Sequence, residues 1–332
     1  MPLPRILLLT TGGTIAMTPG VDGGIAPTLT AHELVAAIPG LADLARLEVT
    51  SFSNKPGASL TLQDLAHLAA KIEASFASGC RGAVVVQGTD TIEETAFALE
   101  LLVSNSLPIV VTGAMRGAMA PGADGPANLL ASVAVAASPA AVGMGALVVL
   151  GDQVHGARYV HKSHTTLPSA FTSPAFGPLG EIIEGKLCLR ARLTPLPQVP
   201  RLRAAEDVPV ALVPISLGDD GRLLPALPDL GYRGAVIEAM GAGHVPAPLA
   251  PLIGELARRI PVVLSTRVAA GPVLQSSYSF PGSEKDLLAR GAIHGGALGG
   301  LKACLLLRLL LAAGVAGEDL PREYSRRCQL TT

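Results

Sequence analysis

Uninterrupted apolar runs of strand type alternate with stretches of helical period along this chain, and that alternation restricts the fold more than any other feature. Ile6–Leu9, Gly82–Val86, Ile109–Val111 and Ala146–Leu150 are short, rich in Val, Leu and Ile, and show no polar face. Strands of that kind are buried on both sides, as in a parallel sheet covered by helices. Helical patterns lie between them. Thr30-Ala31-His32-Glu33 has capping-box form, and Thr61-Leu62-Gln63-Asp64 opens a helix that runs through Phe76 and stops at Gly79. Over Ile92–Asn105, Ile92, Ala96, Leu99 and Val103 share one face. Pro126 suits the first turn of a helix reaching Ala137.

A second, smaller set follows: Val210–Ile215, Ala235–Glu238 and Val262–Ser265 read as strands, and Leu298–Leu311 as a helix. With 332 residues the chain exceeds the usual size of one core. The expected architecture is therefore two α/β domains with mainly parallel sheets, a larger N-terminal domain over 1–190 and a smaller C-terminal one over 210–332. Residues 191–209, with Pro195, Pro197, Pro200 and Pro209, read as the linker.

Composition excludes several function classes. Net charge is −1, which provides no general attraction to nucleic acid or anionic membrane. With no Trp and 3% aromatic residues, stacking platforms for single-stranded nucleic acid are not expected. The longest apolar stretch, Leu129–Leu150, is interrupted by Ser138-Pro139 and reads as helix then strand, not as a membrane span. The first strand pattern starts at Arg5, so no cleavable signal peptide is expected. Cys80, Cys188, Cys304 and Cys328 are widely spaced, as reduced thiols of a cytoplasmic protein would be.

Functional signal concentrates in two Thr clusters. Thr10-Thr11-Gly12-Gly13-Thr14 follows the first apolar run, and Gly88-Thr89-Asp90-Thr91 follows the second. Both fall at the carboxyl ends of strands, where open α/β sheets bind ligands. Thr91-Ile92-Glu93-Glu94 has capping-box form, which assigns Thr91 to the helix N-cap and leaves Thr89 and Asp90 without a capping task. They sit where helix N–H groups would hold an oxyanion or carboxylate. A plainer account has Asp90 merely favouring the positive helix end. The paired glycines allow a backbone to approach a ligand closely, or simply make a tight turn. Neither G-x-G-x-x-G nor a Walker ending is present.

A Thr hydroxyl needs a base to act as a nucleophile, and a desolvated Lys can serve. Lys55, Lys71, Lys162 and Lys186 are the candidates in the first domain. Lys162 stands out because it lies in the polar stretch Arg158–Thr166, although a solvated surface Lys is the commoner case. His155, His161 and His164 lie nearby without a metal-ligand spacing, so that segment reads as a polar loop. Asp124-Gly125-Pro126 reads as a turn and helix start.

Thr11-Gly12-Gly13-Thr14-Ile15-Ala16 and Gln87-Gly88-Thr89-Asp90-Thr91 with Glu93-Glu94-Thr95-Ala96 resemble the two signatures of bacterial-type L-asparaginases and glutaminase-asparaginases. The resemblance continues through Val111–Arg116, Ala123–Leu129, Lys162, Thr165, Thr166 and Phe176–Gly180, and more loosely into the second domain. It implies an amidohydrolase that converts L-asparagine to L-aspartate and ammonia without metal or cofactor. By position Thr14 would be the nucleophile that forms an acyl-enzyme. Thr89, Asp90 and Lys162 would form a second group, with Lys162 activating the Thr89 hydroxyl or a water. Asp90 would also bind the substrate α-ammonium, and the Thr89 backbone N–H would face the oxyanion. Gly88 and Ala114 would line the substrate site. The resemblance also implies a homo-oligomer, dimer or tetramer, whose sites are shared between subunits.

Three departures bear on substrate choice. The lid loop Met17–Pro27 contains no Tyr, and Gly24 falls near its expected place. The polar pair that would hold the α-carboxylate and α-amine is replaced by Gly57-Ala58, with Ser59 adjacent. Gln87 replaces a frequent His, and Tyr278 lies near the position of an acidic residue contributed by the neighbouring subunit. These changes keep open a same-family enzyme acting on L-glutamine, a D-amino acid amide or a derivatised asparagine. A catalytically silent binding protein is the reading from another class.

Overall fold

The computed structural model describes residues 2–13, 17–19, 25–27, 31–202 and 208–328. It divides into two units, Met1–Gln198 and Val199–Thr332. The first contains β1 (Arg5–Thr10), β2 (Met17–Pro19), β3 (Ile25–Pro27), α1 (Ala31–Ala36), α2 (Leu41–Leu44), β4 (Arg46–Ser51), α3 (Leu62–Ala77) and β5 (Gly82–Val86). It continues with α4 (Ile92–Leu102), β6 (Ile109–Thr112), α5 (Gly125–Ala137), β7 (Ala146–Leu150), β8 (Gln153–Gly156), β9 (His161–Lys162), β10 (Phe171–Thr172), β11 (Gly180–Ile183) and β12 (Lys186–Leu189).

Eight of these strands form one sheet in the order β12-β11-β8-β7-β6-β5-β1-β4. The five strands from β4 to β7 are parallel, and β8, β11 and β12 add an antiparallel edge. Alternate residues of each apolar run face opposite sides. Ile6, Leu8, Val84 and Val110 pack with Leu129 and Val133 of α5. Leu7, Leu9, Val85 and Val111 pack with Leu68 and Ile72 of α3 and with Ile92, Ala96 and Leu99 of α4. That two-sided burial is why the runs show no polar face.

From β1 the chain passes to β4 on one side, then to β5 on the other. The sheet therefore reverses its winding between β1 and β5, and the carboxyl ends of those two strands border the crevice in which such sheets bind ligands.

The second unit contains β13 (Val210–Pro214), β14 (Gly234–Ala239), α6 (Leu249–Arg259), β15 (Val262–Thr266), α7 (Glu284–Ala289), β16 (Ile293–His294), α8 (Gly300–Ala312) and α9 (Asp319–Cys328). Its four parallel strands run in the order β13-β14-β15-β16. Thus both units are α/β with mainly parallel sheets, the N-terminal one larger.

Local details depart from the sequence reading in four places. Thr91 caps nothing with its side chain, because its hydroxyl donates to Gly57 O at 2.9 Å instead. The expected helix Ile92–Asn105 ends at Leu102, where Glu73 accepts the Ser104 N–H and Asn105 turns back on Leu107. The stretch read as a polar loop contains β9, paired in register with β10. His155, assigned to that loop, lies on β8 and is fully buried. The capping box at Thr61 does form with Asp64, whereas Thr30 lies outside the described residues.

Candidate functional site

Three backbone segments meet at the β1/β5 switch point. The first is the turn after β1, where Gly12 and Gly13 take φ of 111° and 100°, values that favour glycine. The second is the turn after β5. A Cβ on Gly13 would stand 2.2 Å from the Gly88 nitrogen, so the two backbones touch where a side chain has no room. The third is the turn at Gly57, whose Cβ would lie 2.7 Å from Gly88 O. Gln87 and Thr91 tie this crossing together. The Gln87 amide donates to Thr91 Oγ1 at 3.2 Å, and Thr91 in turn donates to Gly57 O. Lys55 N–H and Ser53 Oγ donate to Thr11 O at 2.8 and 3.0 Å, fixing the first turn from the other side.

Thr89 and Asp90 project from the single 3-10 turn that precedes α4. Thr89 is buried, whereas the Asp90 side chain is 64% exposed. Lys162 reaches them from β9. Its Nζ lies 2.9 Å from Thr89 Oγ1 and 2.8 Å from Asp90 Oδ1, and its side chain is 18% exposed. A hydroxyl, an amine and a carboxylate thus form one chain of hydrogen bonds, with the carboxylate at the solvent end. Such a chain can carry a proton between the amine and the hydroxyl, while the open side of the carboxylate can accept a cation.

Ala114 follows the end of β6 and is buried. Its loop is held by Asp124, whose carboxylate accepts the Met115 and Arg116 N–H groups at 3.0 and 2.9 Å. Asn128 donates to Gly113 O and to Asp124. The reading of Asp124 as a turn and helix start accounts for none of these contacts. The Asp124 spacing of four from Asn128, one helical turn, is the signal that would have placed both on one face toward that loop.

Gly57 is buried, while Ala58 and Ser59 are exposed. The neighbouring Lys55 is engaged with Asp64, 2.8 Å from each carboxylate oxygen. Burial pushes the Asp64 carboxyl up, but hydrogen bonds from Lys55 and Thr61 outweigh it and leave the group below its ordinary range. Thr14 and Gly24 lie outside the described residues. Tyr278 belongs to the second unit, is 44% exposed, and meets His244 edge-on with ring centroids 4.8 Å apart. Burial pushes the adjacent Glu284 carboxyl up, yet N–H groups of Tyr278 and Ser277 bring it below its usual value.

The three histidines occupy separate environments. His155 bonds Ser173 Oγ at 2.9 Å, His161 lies 3.1 Å from Glu93 Oε2, and His164 accepts the N–H groups of Thr166 and Leu167. Among the described residues no group of three or more His, Cys, Asp or Glu is arranged to hold a metal ion.

Residues 5–194 match the family "Asparaginase, N-terminal", and residues 209–322 match "Glutaminase/Asparaginase C-terminal domain". A probable L-asparaginase of Deinococcus radiodurans is 39% identical to this chain, and the match covers 98% of each. An L-asparaginase of Bacillus licheniformis is 33% identical, with 93% of this chain and 96% of that protein covered. Among solved structures, a probable cytoplasmic L-asparaginase from Campylobacter jejuni superposes with a TM-score of 0.86 at 31% identity. That match covers 97% of this chain and 99% of the other.

Proposed function

The chain belongs to the asparaginase family across both of its units, and from that premise we propose that it hydrolyses L-asparagine to L-aspartate and ammonia through a Thr nucleophile. The observation that carries this reading is the contact of Lys162 Nζ with both Thr89 Oγ1 and Asp90 Oδ1. Gly13, which precedes Thr14, packs against Gly88, which precedes Thr89, and this supports a site assembled from both Thr clusters.

In the first step a Thr hydroxyl oxygen, by position that of Thr14, bonds to the side-chain amide carbon. The hydroxyl proton leaves to a base, the amide nitrogen takes up a proton, and the C–N bond breaks to release ammonia. In the second step a water attacks the resulting ester, freeing aspartate and restoring the Thr hydroxyl. Lys162 serves as the base for Thr89 or for a water beside it. Asp90 accepts the substrate α-ammonium on its exposed side, and the Thr89 N–H faces the oxyanion. No residue in this scheme requires a metal or cofactor.

The reading extends to assembly and location. Exposed Tyr278 supports a homo-oligomer, dimer or tetramer, in which the second unit of one subunit completes the site of another. A cytoplasmic location accords with the description of the Campylobacter relative. No described helix is long and apolar enough to cross a membrane.

Gly57-Ala58 favours a second reading, in which the same chemistry serves L-glutamine, a D-amino acid amide or a derivatised asparagine. Neither side chain can hold an α-carboxylate, and the Gly88 carbonyl leaves no room for one at Gly57. Release of ammonia, or of the amine from a β-amide-substituted asparagine, measured side by side on L-asparagine, L-glutamine, D-asparagine and that substituted asparagine decides between the two. Strong preference for free L-asparagine supports the first. Preference for another amide supports the second, and no release from any overturns both.

A further inference from the structure

We propose that Glu93 is a positioning residue that sets Lys162 against Thr89. The inference rests on the reading that Thr89, Asp90 and Lys162 act together in amide hydrolysis.

Lys162 sits on a strand of two residues, paired in register with Phe171 and Thr172. A long, rotamer-rich side chain on so short an element needs its backbone fixed from more than one direction. From the β10 side, Ser163 N–H and Oγ both donate to Ala170 O, at 2.7 and 2.8 Å, and Ser173 is anchored by buried His155. Those contacts fix the hairpin to itself and to the sheet. They do not fix it to α4, the helix that begins just after Thr89.

Glu93 makes that connection. It occupies the first turn of α4, four residues after Thr89, and its side chain is 8% exposed. Oε2 lies 3.1 Å from His161 Nδ1, and Oε1 accepts the Lys162 backbone N–H at 3.4 Å. One carboxylate therefore grips both residues of β9 and moves with the turn that bears Thr89. A Glu in a first helical turn has an ordinary task, to favour the positive helix end. That task requires no particular side-chain direction, whereas here the carboxylate is turned into the protein and spans to another element. A buried carboxylate is costly without partners, so this one resists displacement of β9.

The test compares wild type with Glu93→Ala, Glu93→Gln and His161→Leu by steady-state ammonia release on L-asparagine, thermal unfolding and crystallography. A misplacement of about 1 Å can cost up to about a hundredfold in rate. Glu93→Ala is expected to lower kcat roughly 10- to 100-fold with KM within about threefold, while remaining folded at the assay temperature. Glu93→Gln keeps an acceptor for the Lys162 N–H, so it should recover kcat to within about threefold of wild type. His161→Leu removes one of the two grips and should fall between them. A Glu93→Ala enzyme within twofold of wild type, or a Gln variant no better than Ala, overturns the inference. If Glu93→Ala does not fold, His161→Leu decides on the same kcat criterion. If wild type itself releases no ammonia, the functional reading fails, and the crystal structure of Glu93→Ala still decides this one. An Nζ–Oγ1 separation beyond about 3.5 Å supports positioning, because a hydrogen bond is lost there. An unchanged separation overturns it.

Discussion

Gly13 and Gly88 meet backbone to backbone at the point where the large sheet reverses its winding: a Cβ on Gly13 would stand 2.2 Å from the Gly88 nitrogen, and one on Gly88 would stand 2.9 Å from the Gly57 nitrogen. Gly13 and Gly88 are each followed directly by a Thr of the two clusters. The contact itself is between backbones, so at Gly13, with φ of 100°, glycine is required by packing as well as by backbone conformation, and at Gly88, with φ of −65°, by packing alone.

Gly13→Ala therefore combines a left-handed backbone with a Cβ 2.2 Å from the Gly88 nitrogen. It should destabilise the protein by about 3 kcal/mol or more and remove activity. Gly117→Ala, where a Cβ meets nothing within 4 Å, should lie within about 0.5 kcal/mol of wild type. Thermal and urea unfolding of the two variants checks the contrast.

Thr89→Val and Lys162→Met each break the 2.9 Å contact between amine and hydroxyl. Removing a proton-transfer partner costs about 10²- to 10⁴-fold, so kcat should fall about a thousandfold in each. Both changes are close in size, and the circular dichroism spectrum and unfolding midpoint should remain near wild type. Rates near wild type in either variant would refute the proposed chemistry.

Glu100 on α4 and Arg158, just after β8, form a buried ion pair, and Arg158 also donates to Thr194 O at 2.8 Å. Removing one partner strands the other charge. Arg158→Met should cost about 3–5 kcal/mol, while the double change Glu100→Leu with Arg158→Met should recover much of that. A double-mutant cycle by urea denaturation measures the difference.

His155 is fully buried, and burial lowers its pKa from 6.5 to about 4. Below pH 6.5 the unfolded chain takes up a proton at this position and the folded protein does not. Its contribution to stability is therefore intact above pH 6.5 and declines as pH falls toward 4, by about 3 kcal/mol in all. Below that the folded state also protonates and the loss levels off. His155→Gln should show a smaller drop in unfolding midpoint between pH 7 and 4.5 than wild type.

Strands whose neighbours lie on both faces were legible from the apolar runs, because burial on both sides demands unbroken hydrophobicity. Gly82–Val86 and Ala146–Leu150 coincide with strands of the structure. The antiparallel edge strands were not legible, because four residues such as Gln153–Gly156 are too few to display a period. Nor was β9, where His161-Lys162 reads as polar chain and becomes a strand only through pairing with Phe171-Thr172. Thr91 misled for a different reason. Its capping-box pattern is a local preference, and a carbonyl 34 residues away in the chain offered a better partner.

By itself the sequence determined which segments become strands and helices, and which glycines and hydroxyls stand at the strand ends. Those are local matters of hydrophobic period, capping and backbone freedom. Only the tertiary structure decided which side chains share a site. Lys162 meets Thr89 across 73 residues of sequence, and Glu93 grips the Lys162 backbone across 69. Such contacts depend on strand order and register, which are set by the packing of the whole sheet and leave no period in the chain.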